Sequence, residues 1–302
     1  MLRSMYAGIS GMKGFQTKLD VIGNNIANVN TSGFKKGRTT FQDMMSQSLS
    51  GAEGPVVQNG DALRGGINPS QVGLGSQVGS VDNIQTQGNR QTTNRPLDLA
   101  LEGDGMFVLG QNLVNPLDGN GNPDPTQGVD LAETTINFTR AGNFYLDNDG
   151  YIVNSDGKYL LGENNGNVDR LQIPAEAASF SIQNNGAVTY VDETGVVQNA
   201  GQIRLANFSN PGGLEKSGSN TFQLTINAGV FTDDGNFDSV NDLVIPEQNG
   251  TASVVSGALE MSNVDLAEEF TEMIVAQRGF QANTRIITTS DEILQELVNL
   301  KR

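Results

Sequence analysis

The side chains of this chain that could do chemistry are its carboxylates. Among 302 residues there are 34 Asp and Glu, with no His and no Cys. Without Cys there are no disulfides, thiol nucleophiles or thiolate metal sites. Without His the usual general base near neutral pH is missing, as are Ser-His-Asp chemistry and His-ligated zinc. A pair of carboxylates could still cleave a glycan, if the two stood roughly 5–10 Å apart across a cleft. No such pair stands out, and most of the acids fall in Gly/Asn-rich turns, where solvated turn chemistry accounts for them. Asp118-Gly-Asn-Gly-Asn-Pro-Asp124 begins like a calcium loop. An EF-hand needs Gly at its sixth position and a bidentate Glu at its twelfth, but those positions hold Pro123 and Val129. Asp147-Asn-Asp149-Gly150 and Asp233-Asp234-Gly235 are too short for a metal site and read as hairpin turns. Gly103-Asp104-Gly105 precedes a strand pattern rather than a helix, which argues against a phosphate cradle. No catalytic residue, metal site or cofactor is expected, and a cell-wall glycan hydrolase stays only as a remote alternative.

Charge and hydropathy narrow the class further. A net charge of −16 argues against nucleic-acid binding, which needs basic faces. No apolar run approaches the roughly 18 residues of a membrane span, so no membrane insertion is expected. The segment MLRSMYAGISGMKGFQ lacks a continuous apolar stretch and a cleavage site, so it does not read as a cleaved signal peptide.

The elements that would position any site are of two kinds. Residues 1–33 and 261–302 read as a terminal helical domain. Near the start, Leu2, Met5, Ile9, Met12, Phe15, Leu19, Ile22, Ile26 and Val29 recur at steps of three and four, the seam of a coiled-coil-like helix. The pattern stops at Asn30-Thr31-Ser32-Gly33, with Gly33 as the expected C-terminal stop. Near the end, Ser262 and Asp265 resemble a capping box, opening a helix that is expected to run to Arg302. Leu266, Met273, Phe280, Ile287 and Leu294 are seven apart, and Phe270, Ile274, Ile293, Leu297 and Val298 widen the stripe. Seven-residue spacing implies a partner helix. Residues 1–38 hold six basic side chains against one acid, whereas residues 260–302 hold eight acids against four bases; opposite signs favour pairing of the two ends. Gly8, Gly11, Gly14 and Gly23 each cost an isolated helix about 1 kcal/mol. The first three form a smooth strip, suited to close approach by another backbone. Helices of this kind are expected to be loose in a lone subunit and to fold on assembly.

Residues 34–85, rich in Gly, Ser, Gln and Asn, read as an extended connector, with a short amphipathic helical turn expected near Phe41–Ser50. Residues 86–260 alternate in short runs broken by Asp-Gly and Asn-Gly turns. They read as one β-rich outer domain with polar insertions near 111–135 and 228–250. The expected fold class is α+β, mostly β, with long N- and C-terminal helices paired as a coiled coil.

The stretch Asn24-Asn25-Ile26-Ala27-Asn28-Val29-Asn30-Thr31-Ser32-Gly33-Phe34-Lys35-Lys36 resembles the N-terminal signature of the flagellar rod and hook protein family. Arg95-Pro96-Leu97-Asp98-Leu99-Ala100 with Gly103–Phe107 resembles that family's first core strand. Phe138-Thr139-Arg140-Ala141-Gly142-Asn143-Phe144 resembles its next hairpin, and Leu259–Leu266 with Met273, Gln277, Arg278, Phe280 and Asn283 its closing helix. Residues 64–75, Arg-Gly-Gly-Ile-Asn-Pro-Ser-Gln-Val-Gly-Leu-Gly, resemble the connector of hook subunits. The resemblance implies a structural subunit, not an enzyme, that polymerises into a helical tube through its terminal helices, here residues Leu2 to Ile26 and Leu266 to Leu297 of the two stripes. A hook subunit would form a flexible universal joint outside the cell, transmitting torque from rod to filament. Its implied partners are copies of itself, the distal rod protein, the hook–filament junction protein, the hook cap and the flagellar export apparatus. The chain lacks the large second β domain of longer hook proteins, a shortness shared with distal rod proteins, so the rod is the alternative.

Overall fold

The computed structural model describes residues 2–58, 61–116, 128–131, 133–229, 240–248 and 250–300. The protein is mostly β, with one helix near each end: α1 (Leu2–Ala27) and α2 (Leu266–Leu300). It divides into two compact units. The first holds Met1–Ala27, Gly37–Asn83 and Asp265–Arg302; the second holds Asn28–Lys36 and Ile84–Val264.

In the first unit α1 and α2 run antiparallel. Gly8 lies against Ile287, Gly11 against Asn283 and Phe15 against Gly279, and Lys18 pairs with Glu272 at 3.0 Å. Between the helices in sequence comes a single long antiparallel ribbon. Strand β1 (Gly37–Asp43) pairs with β6 (Ser76–Asn83), β2 (Ser46–Ser50) with β5 (Ser70–Gly73), and β3 (Val56–Gln58) with β4 (Asp61–Arg64). The expected helical turn near Phe41–Ser50 is therefore strand. Its Ser and Gln residues favour neither state strongly, and ladder pairing with residues 70–76 decides the outcome. A bulge between Thr40 and Phe41 accompanies the packing of the Phe41 ring against Phe15, tilted at 48° with centroids 5.7 Å apart. Gly14 makes room for it, since a Cβ there would lie 2.7 Å from the Phe41 ring.

Helix α1 stops and helix α2 starts inside the bounds that their sequence patterns suggest; residues 301 and 302, where the α2 pattern ends, lie outside the described residues. Helix α1 ends at Ala27 and passes into a turn, in which the Thr31 N–H donates to the Asn28 carbonyl at 3.1 Å. Gly33 is thus not the helix stop. Its φ of +70° and its closeness to Ala141, whose nitrogen would lie 2.5 Å from an added Cβ, demand glycine for another reason. Helix α2 is capped by Asp265, whose Oδ1 accepts from the Ala267 N–H at 2.8 Å and the Glu268 N–H at 3.4 Å. Ser262 instead accepts from Val264 N–H, so the capping box is replaced by an Asp N-cap.

The second unit is built on a sheet whose path runs Ser179–Ile182, Ala187–Val191, Val197–Ile203, Tyr159–Asn164, Met106–Gln111, Thr135–Thr139, Thr221–Gln223 and Glu215–Gly218, each neighbour antiparallel. Met106–Gln111 lies near its centre and is buried on both faces. Phe107 and Leu109 join one apolar cluster and Met106 and Val108 the other, as the period of two along a strand requires. Leu99–Glu102 pairs with Ser253–Ser256, and Arg90–Thr92 with Ala258–Glu260, so the chain enters and leaves this unit side by side. Of the expected polar insertions, residues 117–127, 132, 230–239 and 249 lie outside the described residues, as do most of the calcium-like loop and the Asp233 turn. What is described of them is partly core: Leu131 and Leu243 belong to the second cluster.

Candidate self-assembly interface

The geometry of the helix pair is set by residues that pack and by polar residues that lock it. Among the buried and half-buried positions of α2 are Glu269, Met273, Ala276, Phe280, Asn283, Ile287, Ser290 and Leu294, spaced by four and three in turn, a seam directed at α1. Every second member is polar or small. Asn283 sits over Gly11, and a Cβ at Gly11 would come within 2.7 Å of its amide. The Thr284 hydroxyl donates to Met12 Sδ at 3.4 Å. The seam therefore combines large side chains with small ones that let the backbones approach.

At the far end of the pair the signature residue Asn25 is 1% exposed and acts as a three-way lock. Its Nδ2 donates to the Gly37 carbonyl at 2.9 Å and to Glu269 Oε2 at 3.2 Å, while its Oδ1 accepts from the Gly37 N–H at 2.9 Å. It ties α1, α2 and β1 together, with Ile22 buried beside it in the sequence at 2% exposure. Of the other signature residues, Asn28 and Thr31 close the turn, the Thr31 hydroxyl lying 3.2 Å from Asn28 Oδ1. Asn24 and Asn30 are exposed. Phe34 is buried under the Lys216 ammonium, which stands 4.8 Å from its ring centroid.

The remaining predicted assembly residues separate into two groups. Met5, Met12, Phe15, Leu19, Ile26, Met273, Phe280, Ile287 and Leu294 are half-buried. Ile9, Leu266, Phe270 and Leu297 are exposed, with Phe270 and Leu297 uncovered to 50% and 49%; these face away from the seam and the pair leaves them open. The side chain of Leu2 lies outside the described residues.

Sequence reasoning missed a buried ionic cluster beside the signature loop. Lys35 Nζ donates to Glu260 Oε1 at 2.6 Å and to the Thr86 carbonyl at 2.8 Å, and Arg140 lies 3.3 Å from Glu260 Oε2. Gly88 N–H donates to the same carboxylate at 3.0 Å. Lys35, Glu260 and Arg140 are all at most 4% exposed. Burial pushes the Lys35 ammonium below the ordinary lysine value of 10.5, against the pull of Glu260. Gly33 N–H donates to the Glu260 carbonyl at 2.8 Å, so one residue anchors the loop by backbone and side chain alike. All three charged residues lay in the quoted motifs, but nothing in their spacing marks them as partners.

Among the described residues, no cluster of three acidic side chains could hold a metal ion, and no helix is long and apolar enough to cross a membrane.

Comparison with known proteins gives the same direction. Residues 5–35 match a family model described as flagella basal body rod protein, residues 128–190 one described as the flagellar hook protein FlgE/F/G D1 domain, and residues 255–300 one described as the flagellar basal body rod FlgEFG protein C-terminal. The chain is 51% identical over 302 residues to the flagellar basal-body rod protein FlgG of Bacillus subtilis, covering all of both chains. It is 35% identical over 302 residues to FlgG of Caulobacter vibrioides, covering 99% of this chain and all of that one. To the flagellar hook protein FlgE of Borreliella burgdorferi it is 34% identical, in an alignment that runs over 458 residues and covers both chains in full. The FlgG match runs over a chain of the same length, whereas the FlgE alignment runs over 458 residues.

Proposed function

This chain belongs to the flagellar rod and hook protein family, whose members are structural proteins and not enzymes, and from that premise we propose that it is a subunit of the distal rod of the flagellar basal body. The observation that carries this reading is the end-to-end 51% match to a rod protein of the same length, set beside a hook relative whose alignment needs 458 residues. In this reading the chain leaves the cell through the flagellar export apparatus and polymerises with copies of itself into a helical tube. Helices α1 and α2 pair as a short antiparallel coiled coil and form the tube wall through the faces that the monomer leaves open. The hook follows it distally; the hook cap and the hook–filament junction protein, which a hook subunit would meet, are not its neighbours.

Immunogold labelling of isolated hook–basal bodies separates rod from hook. Label confined to the envelope-spanning rod is the expected outcome. Label along the curved external segment would overturn the rod reading in favour of the hook.

A further inference from the structure

Helix α1 has two working faces. Gly8, Gly11 and Phe15 turn towards α2, while Arg3, Tyr6, Lys13 and Thr17 fall on the opposite side, as a period of 3.6 residues requires. On that opposite side a groove of about 560 Å³ runs between α1 and the β ribbon. Tyr6, Ile9, Met44 and Leu74 give it apolar surface, and Arg3 and Lys13 give it positive charge; among the described residues that line it, none is acidic. Tyr6 is 70% exposed, so none of the described residues covers its ring.

The end of α2 has the complementary character. Residues 291–300 carry Asp291, Glu292 and Glu296 and no basic residue, with Lys301 and Arg302 following at the chain end. The same turns expose Ile293, Leu297, Val298 and Leu300. With Gly8 opposite Ile287 in an antiparallel pair, these last turns run past the start of α1 and lose their partner helix. Helix α2 lies on the Gly8 side of α1, so its end does not reach the groove on the other side of its own subunit.

We propose that the groove of one copy receives the 291–300 end of α2 from a second copy. Apolar side chains would fill the groove between Tyr6 and Leu74, and the acids of the helix end would meet Arg3 and Lys13. Groove and helix end are different surfaces of one chain, so the contact is head-to-tail. Such a contact does not close on two copies and propagates as a ring or an open helix. The inference rests on the polymer reading and names the contact within it.

The absence of Cys makes the test clean. Tyr6→Cys and Leu297→Cys proteins are purified separately, added together as a minor fraction to parent chain, polymerised and oxidised. A disulfide-linked dimer of the two variants is expected, lost when Leu297→Cys is replaced by Thr271→Cys, an exposed position elsewhere on α2. Lys13→Glu should weaken polymerisation, and Glu292→Lys in the same chain should restore it. Polymers that form normally with no Tyr6–Leu297 cross-link would overturn this contact and leave the polymer reading standing. Parent chain that forms no polymer at all would remove both.

Discussion

At the residue scale, the firmest anchors are polar. Lys35, Glu260 and Arg140 form a buried cluster in which removing one partner strands the others. Breaking such a pair costs about 3–5 kcal/mol, so Lys35→Met should lower the stability of the second unit by about that much. Urea unfolding followed by tyrosine fluorescence is a direct measure, because four of the five tyrosines lie in this unit. The same lysine gives a pH signature. Below its folded pKa it is charged in both states and its burial cost is in full force. Between that lowered value and 10.5 the unfolded chain binds the proton more readily, so this group makes stability rise with pH. The parent should gain on Lys35→Met as pH climbs through that window; a constant gap between the two would contradict the assignment.

At the element scale, the glycines of α1 differ in what they do. Nothing lies within 4 Å of a Cβ added at Gly23, so Gly23→Ala should raise the helical melting transition, by up to about 1 kcal/mol of stability. A Cβ at Gly11 meets the Asn283 side-chain amide at 2.7 Å, and Gly11→Ala should lose that gain because the amide must move out of the seam. Equal shifts for both variants in a far-UV thermal melt would show that the strip has no packing role. The end of α2 is the other element with a clear consequence. Deleting residues 290–302 removes exposed apolar surface and only the last two seam members, Ser290 and Leu294, so the truncated chain should stay folded and fail to sediment as polymer under conditions where the parent does.

At the scale of the whole molecule, the two units are unequal. Of all buried apolar side chains described, only Ile22 and Ala276 belong to the first unit; the rest lie in the second. A unit with so little core cannot offset the entropy of ordering two long helices by much. Hydrogen exchange should therefore find α1 and α2 poorly protected in the monomer beside the central strand Met106–Gln111, and strongly protected once polymerised. Helices already as protected as that strand in the monomer would argue that the exposed stripes are ordinary surface. The two units should also unfold in separate steps in a calorimeter.

Much of this was legible in the chain itself. The stripes at three, four and seven placed both helices, because a helix writes its buried face into local periodicity. Alternation and Asp-Gly turns placed the β-rich unit, and the lack of His and Cys by itself removes most catalytic chemistry. What the pattern did not contain was partnership. It did not separate Phe280, turned into the seam, from Phe270, left open. It did not show that Asn25 locks to Glu269, or that Lys35 meets a carboxylate 225 residues away. Such contacts depend on which distant segments the ribbon and the sheet bring together. Periodicity is a local property and burial is not, so tertiary structure alone decided which apolar residues make the fold and which stay free to join the next subunit.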